Sequence, residues 1–449
     1  MQKLLALSTL FALLSACGGS TELNAQKAAE SGPPRVIVAD IDSAMNPYHD
    51  FFYAGSAIYK NAPPSSVTPE VLAELGVPPE NIITLTRTGN ISKDKTADAA
   101  KWERVRRGKP YWFKGTNLIG VSFSDKPYLI PSAKDPVKNP HGVGTSAAVL
   151  IANPEAIILF VETWNDLAND DSHRFAFLHP AVDIITTSYG ISIPNTGFPL
   201  PEASTFLATF DSVVKMGKMH FSSGGNGPGL TPFRAGAGPW WSIGVSGIEE
   251  DESEGKSILS GNFPDFISDF TQDLPYCQDC ERPITTGVGG TSFSTPRAAG
   301  VASRVLLETR RALGHGGGIR INPNGLPVMA EGNGRTVTNW DIRRALEEAA
   351  WVPGLGDQSP SADLGYPVNP AAPWLQVGWG DLSARADKKV IAEAIAHLGF
   401  GTPTRNKDSG FCDFQTAVME ERILYWSSVA LDSDEHQVDG DVPYIFCGS

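Results

Sequence analysis

The stretch Gly290–Gly300 holds a serine in a setting suited to chemistry on a carbonyl group. Ser292 follows a glycine-rich approach and precedes the apolar, proline-free segment Val301–Leu313, which predicts a helix. The first-turn N–H groups of a helix have no partner within the helix and can stabilise a developing oxygen anion. Ser292 is therefore a candidate nucleophile for acyl transfer; the alternative is an ordinary N-cap, a position where serine is also common.

Such a nucleophile needs a base, an acid that orients the base and a donor for the oxyanion, and residues of these three types occur elsewhere in the chain. His141 precedes a run of small residues, Asp42 ends an apolar strand, and Asn226 lies in a glycine-rich turn. A histidine can take the hydroxyl proton, a carboxylate can fix its tautomer, and an amide N–H can bind the oxyanion. Two alternatives exist: Asp40 shares the strand face of Asp42, and His49 lies in a proline-containing turn, where a surface histidine is expected.

Strand-forming runs alternate with helical segments along the chain. Helices are predicted to begin at His141 and to cover Pro201–Met216. This alternation predicts an α/β fold with a doubly wound, mainly parallel sheet, helices on both faces, and functional side chains at the strand ends. The predicted strands are Arg35–Ser43, Ile82–Thr88, Leu118–Phe123, Ala156–Val161, Val182–Gly190, Lys218–Ser222 and Trp241–Ser246.

Four short motifs, taken in chain order, resemble the subtilisin-like serine proteases (subtilases). They are Asp42-Ser43, His141-Gly142, Gly225-Asn226 and Gly290–Pro296. The chain order Asp, His, Ser is the known order of that family and is not deduced from this chain. Thr338–Leu346 is similar to the family's late helix, and Gly378–Leu382 to its closing glycine turn. The resemblance covers residues 35–395, with residues 53–139 as an enlarged insertion that it does not match.

The resemblance implies a role for each motif. Ser292 would be the nucleophile and His141 the base, Asp42 would orient the base, and Asn226 with the Ser292 N–H would bind the oxyanion. A protein or peptide would be the substrate, and its backbone would pair with the segment around Ser188. The candidate substrate-binding residues are Ser188, Tyr189, Gly190, Gly224 and Gly225.

Departures from the family pattern lie beside three of these residues. Ala44 stands where the family usually has glycine, Val143-Gly144-Thr145 replaces the commoner Thr-His-Val, and Phe293 replaces methionine. The replacement at Val143-Gly144-Thr145 puts the packing around His141, more than its identity, in question. The expected function is an exported serine endopeptidase; the alternative is a catalytically silent surface protein that uses this scaffold for binding or assembly.

The N-terminus has the pattern of a bacterial lipoprotein signal. Lys3 precedes the apolar run Leu4–Leu14, and the sequence then reaches Cys17 through Leu-Ser-Ala. Residues 1–16 are predicted to be a signal peptide and residues 17–34 a tether, with a lipid on Cys17 as the anchor. In lipoproteins, the absence of an aspartate beside the cysteine suggests outer-membrane sorting, which indicates a cell-envelope location. The alternative is an ordinary cleaved signal in which Cys17 is incidental.

Four cysteines remain beyond the signal, an even number in an oxidising compartment. Cys277 pairs naturally with Cys280 and Cys412 with Cys447, although three connectivities are possible. A four-cysteine zinc site is less favoured because only the Cys277–Cys280 half has tight spacing. Both distal cysteines fall in residues 396–449, a predicted small C-terminal extension stapled by a disulfide.

Composition restricts the remaining function classes. The chain has 449 residues and a formal net charge of −14, which argues against a nucleic-acid surface. No cofactor or metal is predicted. An acidic tail offers oxygen ligands for Ca²⁺ but lacks a recognisable ligand spacing, so a solvated loop is favoured. Its carboxylates are Asp432, Asp434, Glu435, Asp439 and Asp441.

Overall fold

A single large sheet runs through the protein in this computed structural model. The structure describes residues 32–60, 64–124, 140–163, 170–189, 208–226, 237–251, 256–260, 264–277, 280–351, 377–383 and 387–404, together with residues 413, 416, 417, 419 and 420. The predicted signal peptide, Cys17, Gly190, Cys412, Cys447 and the acidic tail lie outside the described residues, as does most of the C-terminal extension.

The described elements alternate as the sequence indicates. The helices are α1 (Pro69–Glu74), α2 (Ile91–Ala97), α3 (Ala99–Trp102), α4 (His141–Ala152), α5 (Asp170–Leu178), α6 (Thr291–Leu313), α7 (Asn339–Ala349) and α8 (Asp387–Ile395). Three-residue 3₁₀ turns span Asp50–Phe52 and Pro79–Asn81, and π-helical turns span Asp211–Lys215 and Ala396–Phe400.

Within the described residues, the strands divide into one ten-stranded sheet and three small hairpins. The large sheet contains β1 (Ile37–Asp42), β2 (Ile82–Ile83), β3 (Pro110–Phe113), β4 (Leu118–Ser122), β5 (Ile157–Glu162), β6 (Ile184–Thr187), β7 (Met219–Ser223), β8 (Ile243–Asp251), β9 (Lys256–Ser260) and β10 (Phe266–Asp269). The hairpins pair β11 (Thr271–Leu274) with β12 (Thr285–Gly289), β13 (Arg320–Ile321) with β14 (Pro327–Val328), and β15 (Ala330–Gly332) with β16 (Arg335–Val337).

The large sheet is doubly wound. Its strand order is β10-β8-β7-β6-β1-β5-β4-β3-β2, with β9 added beside β8. Its pairings are parallel except β3 with β4 and β8 with β9. The order changes direction at β1, which lies between β5 and β6, and ligand sites of open α/β sheets form at such a point. The predicted fold class is confirmed.

Alternate residues of the strands bury two separate cores. Val38, Ile158 and Ile184 belong to the core that α4 and α6 cover. Ile37, Leu159 and Ile185 point the other way, into a core that also contains Phe177 of α5 and Val71 of α1. Strand side chains alternate between faces, so the central strands are apolar on both sides, as expected for parallel strands covered by helices.

The segment 53–139, which the family resemblance leaves unmatched, continues the same sheet. It contributes β2, β3 and β4, and β4 pairs in parallel with β5 over its whole length. The predicted strand Ile82–Thr88 is wrong beyond Ile83, because side chains bind the backbone that would have formed the ladder. Asp98 accepts from the Thr86 N–H at 2.7 Å, and Asp94 accepts from the Thr88 N–H at 2.7 Å.

A buried ion pair fixes the far end of α6. Arg310 Nη2 lies 2.6 Å from Asp183 Oδ1, and both side chains are inaccessible to solvent. The same guanidinium donates to the carbonyl oxygens of Met329 and Gly318, each at 2.9 Å. A buried charge is tolerated when its donors and acceptors are matched in this way, so α6 has a defined position on the sheet.

No described helix is long and apolar enough to cross a bilayer.

Candidate active site

Asp42 and His141 form a hydrogen-bonded pair at the carboxyl end of the sheet. Asp42 is the last residue of β1, and His141 is the first residue of α4. His141 Nδ1 lies 2.9 Å from Asp42 Oδ1 and 2.8 Å from Asp42 Oδ2. Ser43 donates to Asp42 Oδ1 through its N–H at 2.6 Å and its hydroxyl at 3.1 Å. An ionised Asp42 accepts the Nδ1–H, so Nε2 keeps the lone pair that a base needs.

The surroundings of His141 favour its protonated form. Burial by itself lowers the pKa of His141, but the charge and hydrogen bond of Asp42 outweigh burial and raise this pKa. An imidazolium at this position is therefore stabilised, which is what a base requires once it has taken a proton.

Gly142 lets the helix of His141 approach the sheet. A Cβ at this position would lie 2.4 Å from Phe160 Cε2 and 2.5 Å from the carbonyl oxygen of Ala44. Either distance is far inside van der Waals contact, so a larger residue would push His141 away from Asp42. The Ala44 departure is accommodated in the core, since Ala44 is fully buried.

Ser292 lies in the first turn of α6, which begins at Thr291, ten residues before the predicted segment. The N-cap residue is Gly290, whose φ of 151° is unfavourable for any side chain. Ser292 Oγ donates to the Ser188 carbonyl at 3.0 Å, and Ser188 Oγ donates to the Ser292 carbonyl at 2.8 Å. Pro296 has no N–H to offer the Ser292 carbonyl four residues earlier, so that carbonyl is available to Ser188.

His141 and Ser292 come from neighbouring helices. The ring of Phe293, next to Ser292, lies 5.2 Å from the His141 ring, centroid to centroid. Among the described contacts, the Ser292 hydroxyl bonds to Ser188 and not to His141. Catalytic hydrogen bonds are often long or poorly aligned until substrate binds.

The Asn226 side chain is oriented by Thr291. Asn226 Oδ1 accepts from the Thr291 N–H and from the Thr291 hydroxyl, each at 2.8 Å. Its oxygen is thereby used, and its Nδ2 remains as a donor near Gly290. Within the described part of the chain the Ser292 N–H also has no hydrogen-bond acceptor. Two donors are therefore available at the N-terminal end of α6.

The predicted substrate-binding residues have different surroundings. Ser188 is buried against Ser292, as described above. The Tyr189 hydroxyl bonds to His173 Nε2, and burial raises the pKa of Tyr189 well above its usual value. The Gly224 N–H donates to the Val245 carbonyl and the Gly225 N–H to the Thr291 hydroxyl. Their substrate-binding role, and that of Gly190, stays a prediction.

The alternative candidates for acid and base have different hydrogen-bond partners. Asp42 bonds to His141, whereas Asp40 accepts from Thr145 and Ser146. The expectation that His49 is a surface residue is wrong: its side chain is buried and Nδ1 accepts from the Phe51 N–H at 3.1 Å. Burial lowers the pKa of His49.

Cys277 and Cys280 are joined by a disulfide, with their Cα atoms 5.7 Å apart. The two sulfurs are thus not free thiolate ligands for zinc. Asn46 Nδ2 donates to the carbonyls of Cys277 and Cys280 at 3.0 and 2.9 Å, so the bridged loop is fixed to the segment that follows Asp42. The described residues contain no group of three or more His, Cys, Asp or Glu placed to hold a metal ion.

Sequence reasoning missed the contacts that Asp40 makes with α4. The signal was present: period two puts Asp40 on the face of Asp42, and Thr145 follows His141 by one helical turn.

Solved structures of similar fold exist, although no family model and no curated protein matches the sequence. The prenylagaramide maturation protease PagA is 14% identical, with a TM-score of 0.44 over 84% of this chain and 99% of that one. A lanthipeptide protease is 14% identical, with a TM-score of 0.42 over 81% of this chain and 89% of that one. A cold-adapted subtilisin-like serine proteinase is 12% identical, with a TM-score of 0.39 over 73% and 87%. At these values the likeness says nothing about the activity of this chain.

Proposed function

We propose that this chain is a serine endopeptidase of the subtilisin-like type, which hydrolyses peptide bonds through an acyl-enzyme on Ser292. The observation that carries the proposal is the hydrogen bond between Asp42 and His141, formed beside the helix that presents Ser292. A buried carboxylate on Nδ1 leaves Nε2 as the proton acceptor, which is the arrangement that a serine nucleophile requires.

The first half of the reaction forms the acyl-enzyme. Ser292 Oγ leaves the Ser188 carbonyl, gives its proton to His141 Nε2 and attacks the substrate carbonyl carbon. The carbonyl oxygen becomes an anion that accepts from Asn226 Nδ2 and the Ser292 N–H. The C–N bond then breaks, and His141 returns the proton to the leaving amine.

The second half releases the acid product. A water molecule gives a proton to His141 Nε2 and attacks the ester carbonyl. The C–O bond to Ser292 breaks, and His141 returns the proton to Oγ. Asp42 stays ionised throughout and stabilises the imidazolium in both halves.

Hydrolysis of casein and of a fluorogenic peptide tests the proposal. Wild type should cleave both, while Ser292→Ala and His141→Ala should each lose at least about 10³-fold in kcat. Thermal unfolding of the same samples controls for folding. Folded wild-type protein that cleaves neither substrate, or a Ser292→Ala variant that cleaves them at the wild-type rate, would contradict the proposal.

A second candidate function is a catalytically silent binding protein on the same scaffold. The observation that favours it is the Ser292 hydroxyl, which bonds to Ser188 and not to His141 in the described structure. Substrate turnover by wild type, abolished in Ser292→Ala, would dismiss this candidate.

We also propose that the protein is exported and lipid-anchored through Cys17, with the outer membrane of a bacterial envelope as its location. The support is the sequence Leu14-Ser15-Ala16-Cys17 after a short apolar run. Metabolic labelling with a palmitate analogue should tag wild type and not Cys17→Ser. Label that persists in the variant would refute lipidation at Cys17.

A further inference from the structure

Asp40 is a buried carboxyl group immediately behind the proposed catalytic pair. It precedes Asp42 by two residues on β1, so both side chains point to the face that α4 and α6 cover. It is inaccessible to solvent, and its neighbours across the sheet are Phe160 on β5 and Thr186 on β6. A carboxyl group in such a place costs stability unless it is hydrogen-bonded, and an apolar residue would fit the strand.

The hydrogen bonds of Asp40 connect β1 to α4. Thr145 Oγ1 donates to Asp40 Oδ2 at 2.8 Å, and Ser146 Oγ donates to the same oxygen at 2.6 Å. Both donors lie one turn after His141 on the helix that His141 begins. One oxygen therefore joins the strand that ends in Asp42 to the helix that carries its histidine partner.

The first turn of α4 needs such a support. Its N-cap residue is Pro140, which makes no side-chain capping bond. Gly142 and Gly144 lie within the first turn, and each glycine lowers helix stability by about 1 kcal/mol relative to alanine. Neither position has room for a larger side chain, since a Cβ at position 144 would lie 2.7 Å from the Phe293 ring and the contacts at position 142 are closer still. The turn that holds His141 is thus intrinsically weak.

Asp40 is suited to this task as a neutral group. Burial, and then the nearby charge of Asp42, raise the pKa of Asp40 to about 8. The charged and titratable groups that act on it are Asp42 from β1, His141 from α4 and Tyr189 from the segment after β6. A protonated Asp40 keeps Oδ2 as an acceptor without placing a second negative charge beside the pair.

We propose that Asp40 is a positioning residue: through Thr145 and Ser146 its carboxyl group fixes the first turns of α4 on β1, and so fixes the His141 ring on Asp42. The effect on catalysis rests on the proposed function, whereas the effect on the His141–Asp42 hydrogen bond does not.

Four variants separate this role from general support of the fold. Asp40→Asn keeps an oxygen acceptor and carries no charge. It should therefore preserve the hydrogen bonds from Thr145 and Ser146. Asp40→Leu removes the acceptor, and the double variant Thr145→Val/Ser146→Ala removes both donors. Ser303→Ala is the matched control, because the Ser303 hydroxyl accepts from Asn153 Nδ2 at 3.0 Å and thus links α6 to the residue that ends α4, far from His141.

The first readout needs no substrate. The His141 Nδ1–H proton held by Asp42 should give a far-downfield proton resonance, assigned by its absence in His141→Gln. We expect wild type, Asp40→Asn and Ser303→Ala to show it, and Asp40→Leu and the double variant to lose or broaden it. These outcomes can be obtained even if the protein hydrolyses no peptide.

The second readout is peptide hydrolysis, with kcat and KM determined separately. Asp40→Leu should lower kcat about 10- to 100-fold, because a misplacement of about 1 Å has that effect, with KM within about twofold. Asp40→Asn should stay within about threefold of wild type. Combining Asp40→Leu with Thr145→Val/Ser146→Ala should lower kcat no further, because all three substitutions remove the same pair of hydrogen bonds.

A folded Asp40→Leu protein that keeps the downfield resonance would overturn the proposal. If Asp40→Leu does not fold, the double variant decides in the same way. Loss of the resonance in Ser303→Ala would also overturn it, because any weakening of α4 would then have the same effect. If wild type hydrolyses no peptide but the variants show the expected resonances, the result contradicts the proposed function and leaves the role of Asp40 supported.

Discussion

At the scale of single residues, the pair of Asp42 and His141 determines how the site should depend on pH. His141 must be neutral to take the Ser292 proton, and Asp42 raises the pKa of His141 above its ordinary value of 6.5. A raised pKa means that the base becomes protonated, and activity is lost, at a higher pH than for a histidine in water.

We therefore expect kcat/KM to fall as pH drops, tenfold per pH unit, with a midpoint above 6.5. The measurement is hydrolysis of a fluorogenic peptide between pH 5 and 8.5. Asp42→Asn should move this midpoint down and reduce kcat by about 10⁴-fold, the loss known for a comparable substitution in a serine protease. An unchanged rate at pH 5 would contradict His141 as the base.

Asn226 should act only on the transition state. Loss of one oxyanion donor reduces kcat about 10²- to 10³-fold, or about 2.7–4 kcal/mol, as measured in subtilisin itself. We expect at least that loss for Asn226→Asp, with KM within about threefold. Aspartate keeps the oxygen that accepts from Thr291, removes the N–H donor and adds a negative charge beside the oxyanion. A variant with full kcat would exclude Asn226 from the oxyanion site.

At the scale of elements, the site depends on how closely α4 approaches α6. Gly300 of α6 faces α4, and a Cβ there would lie 2.5 Å from the Val149 carbonyl oxygen and 2.9 Å from Ala152 Cβ. One of these helices carries His141 and the other carries Ser292. Their separation therefore sets the distance between base and nucleophile.

Gly300→Ala should lower both stability and activity. Overpacking costs about 1–3 kcal/mol, and separation of the helices should reduce kcat at least about tenfold. The control is Gly314→Ala, at the end of the same helix, where φ is 70° and no atom lies within 4 Å of the new Cβ. It should cost about 1–2 kcal/mol and leave kcat unchanged. Urea unfolding and peptide hydrolysis measure the two effects. Equal losses of kcat in both variants would contradict the helix-separation argument.

The sequence predicts these elements well where apolar runs are continuous. β1, β4, β5, β6 and β7 agree with the predicted strands to within three residues at either end. Prediction fails where a distant side chain competes for the backbone, as Asp94 and Asp98 do after Ile83. The sequence indicates that Asp40 and Asp42 share one face of β1, but the hydrogen bonds of Asp40 to Thr145 and Ser146 also depend on how α4 packs on β1.

At the scale of the whole molecule, buried neutral histidines link stability to pH. Burial, with a smaller effect of His173, lowers the pKa of His220 to about 3, and burial lowers those of His179 and His315 to about 4. The unfolded chain binds protons on these groups below about pH 6.5 while the folded chain does not, so stability is lost as pH falls through that value. Burial raises the pKa of Asp40 to about 8 and that of Asp269 to about 7. These two groups keep their protons in the folded chain where the unfolded chain has lost them, so their contribution to stability increases as pH falls.

His220 offers the cleanest test, since its nitrogens bond to Thr187 at 3.0 Å and Ser242 at 2.8 Å in the interior. From pH 7 to pH 5, it should contribute about 2 kcal/mol to the loss of unfolding free energy. His220→Gln should therefore lose about 2 kcal/mol less than wild type over that interval, whatever its stability at pH 7. Urea unfolding at the two pH values measures the difference. Identical pH dependence in both proteins would show that His220 is not linked to folding in this way.

The most direct test of the central claim is covalent labelling of Ser292 by a fluorophosphonate, followed by intact mass and peptide mapping. Wild type should gain one adduct per chain, on the peptide that contains Ser292. The Ser294→Ala variant should still be labelled, because the Ser294 hydroxyl has a structural role: it donates to the Asp269 carbonyl at 3.1 Å. Ser292→Ala should not label. Folded wild type that takes no label, or an adduct that persists in Ser292→Ala, would contradict Ser292 as the nucleophile.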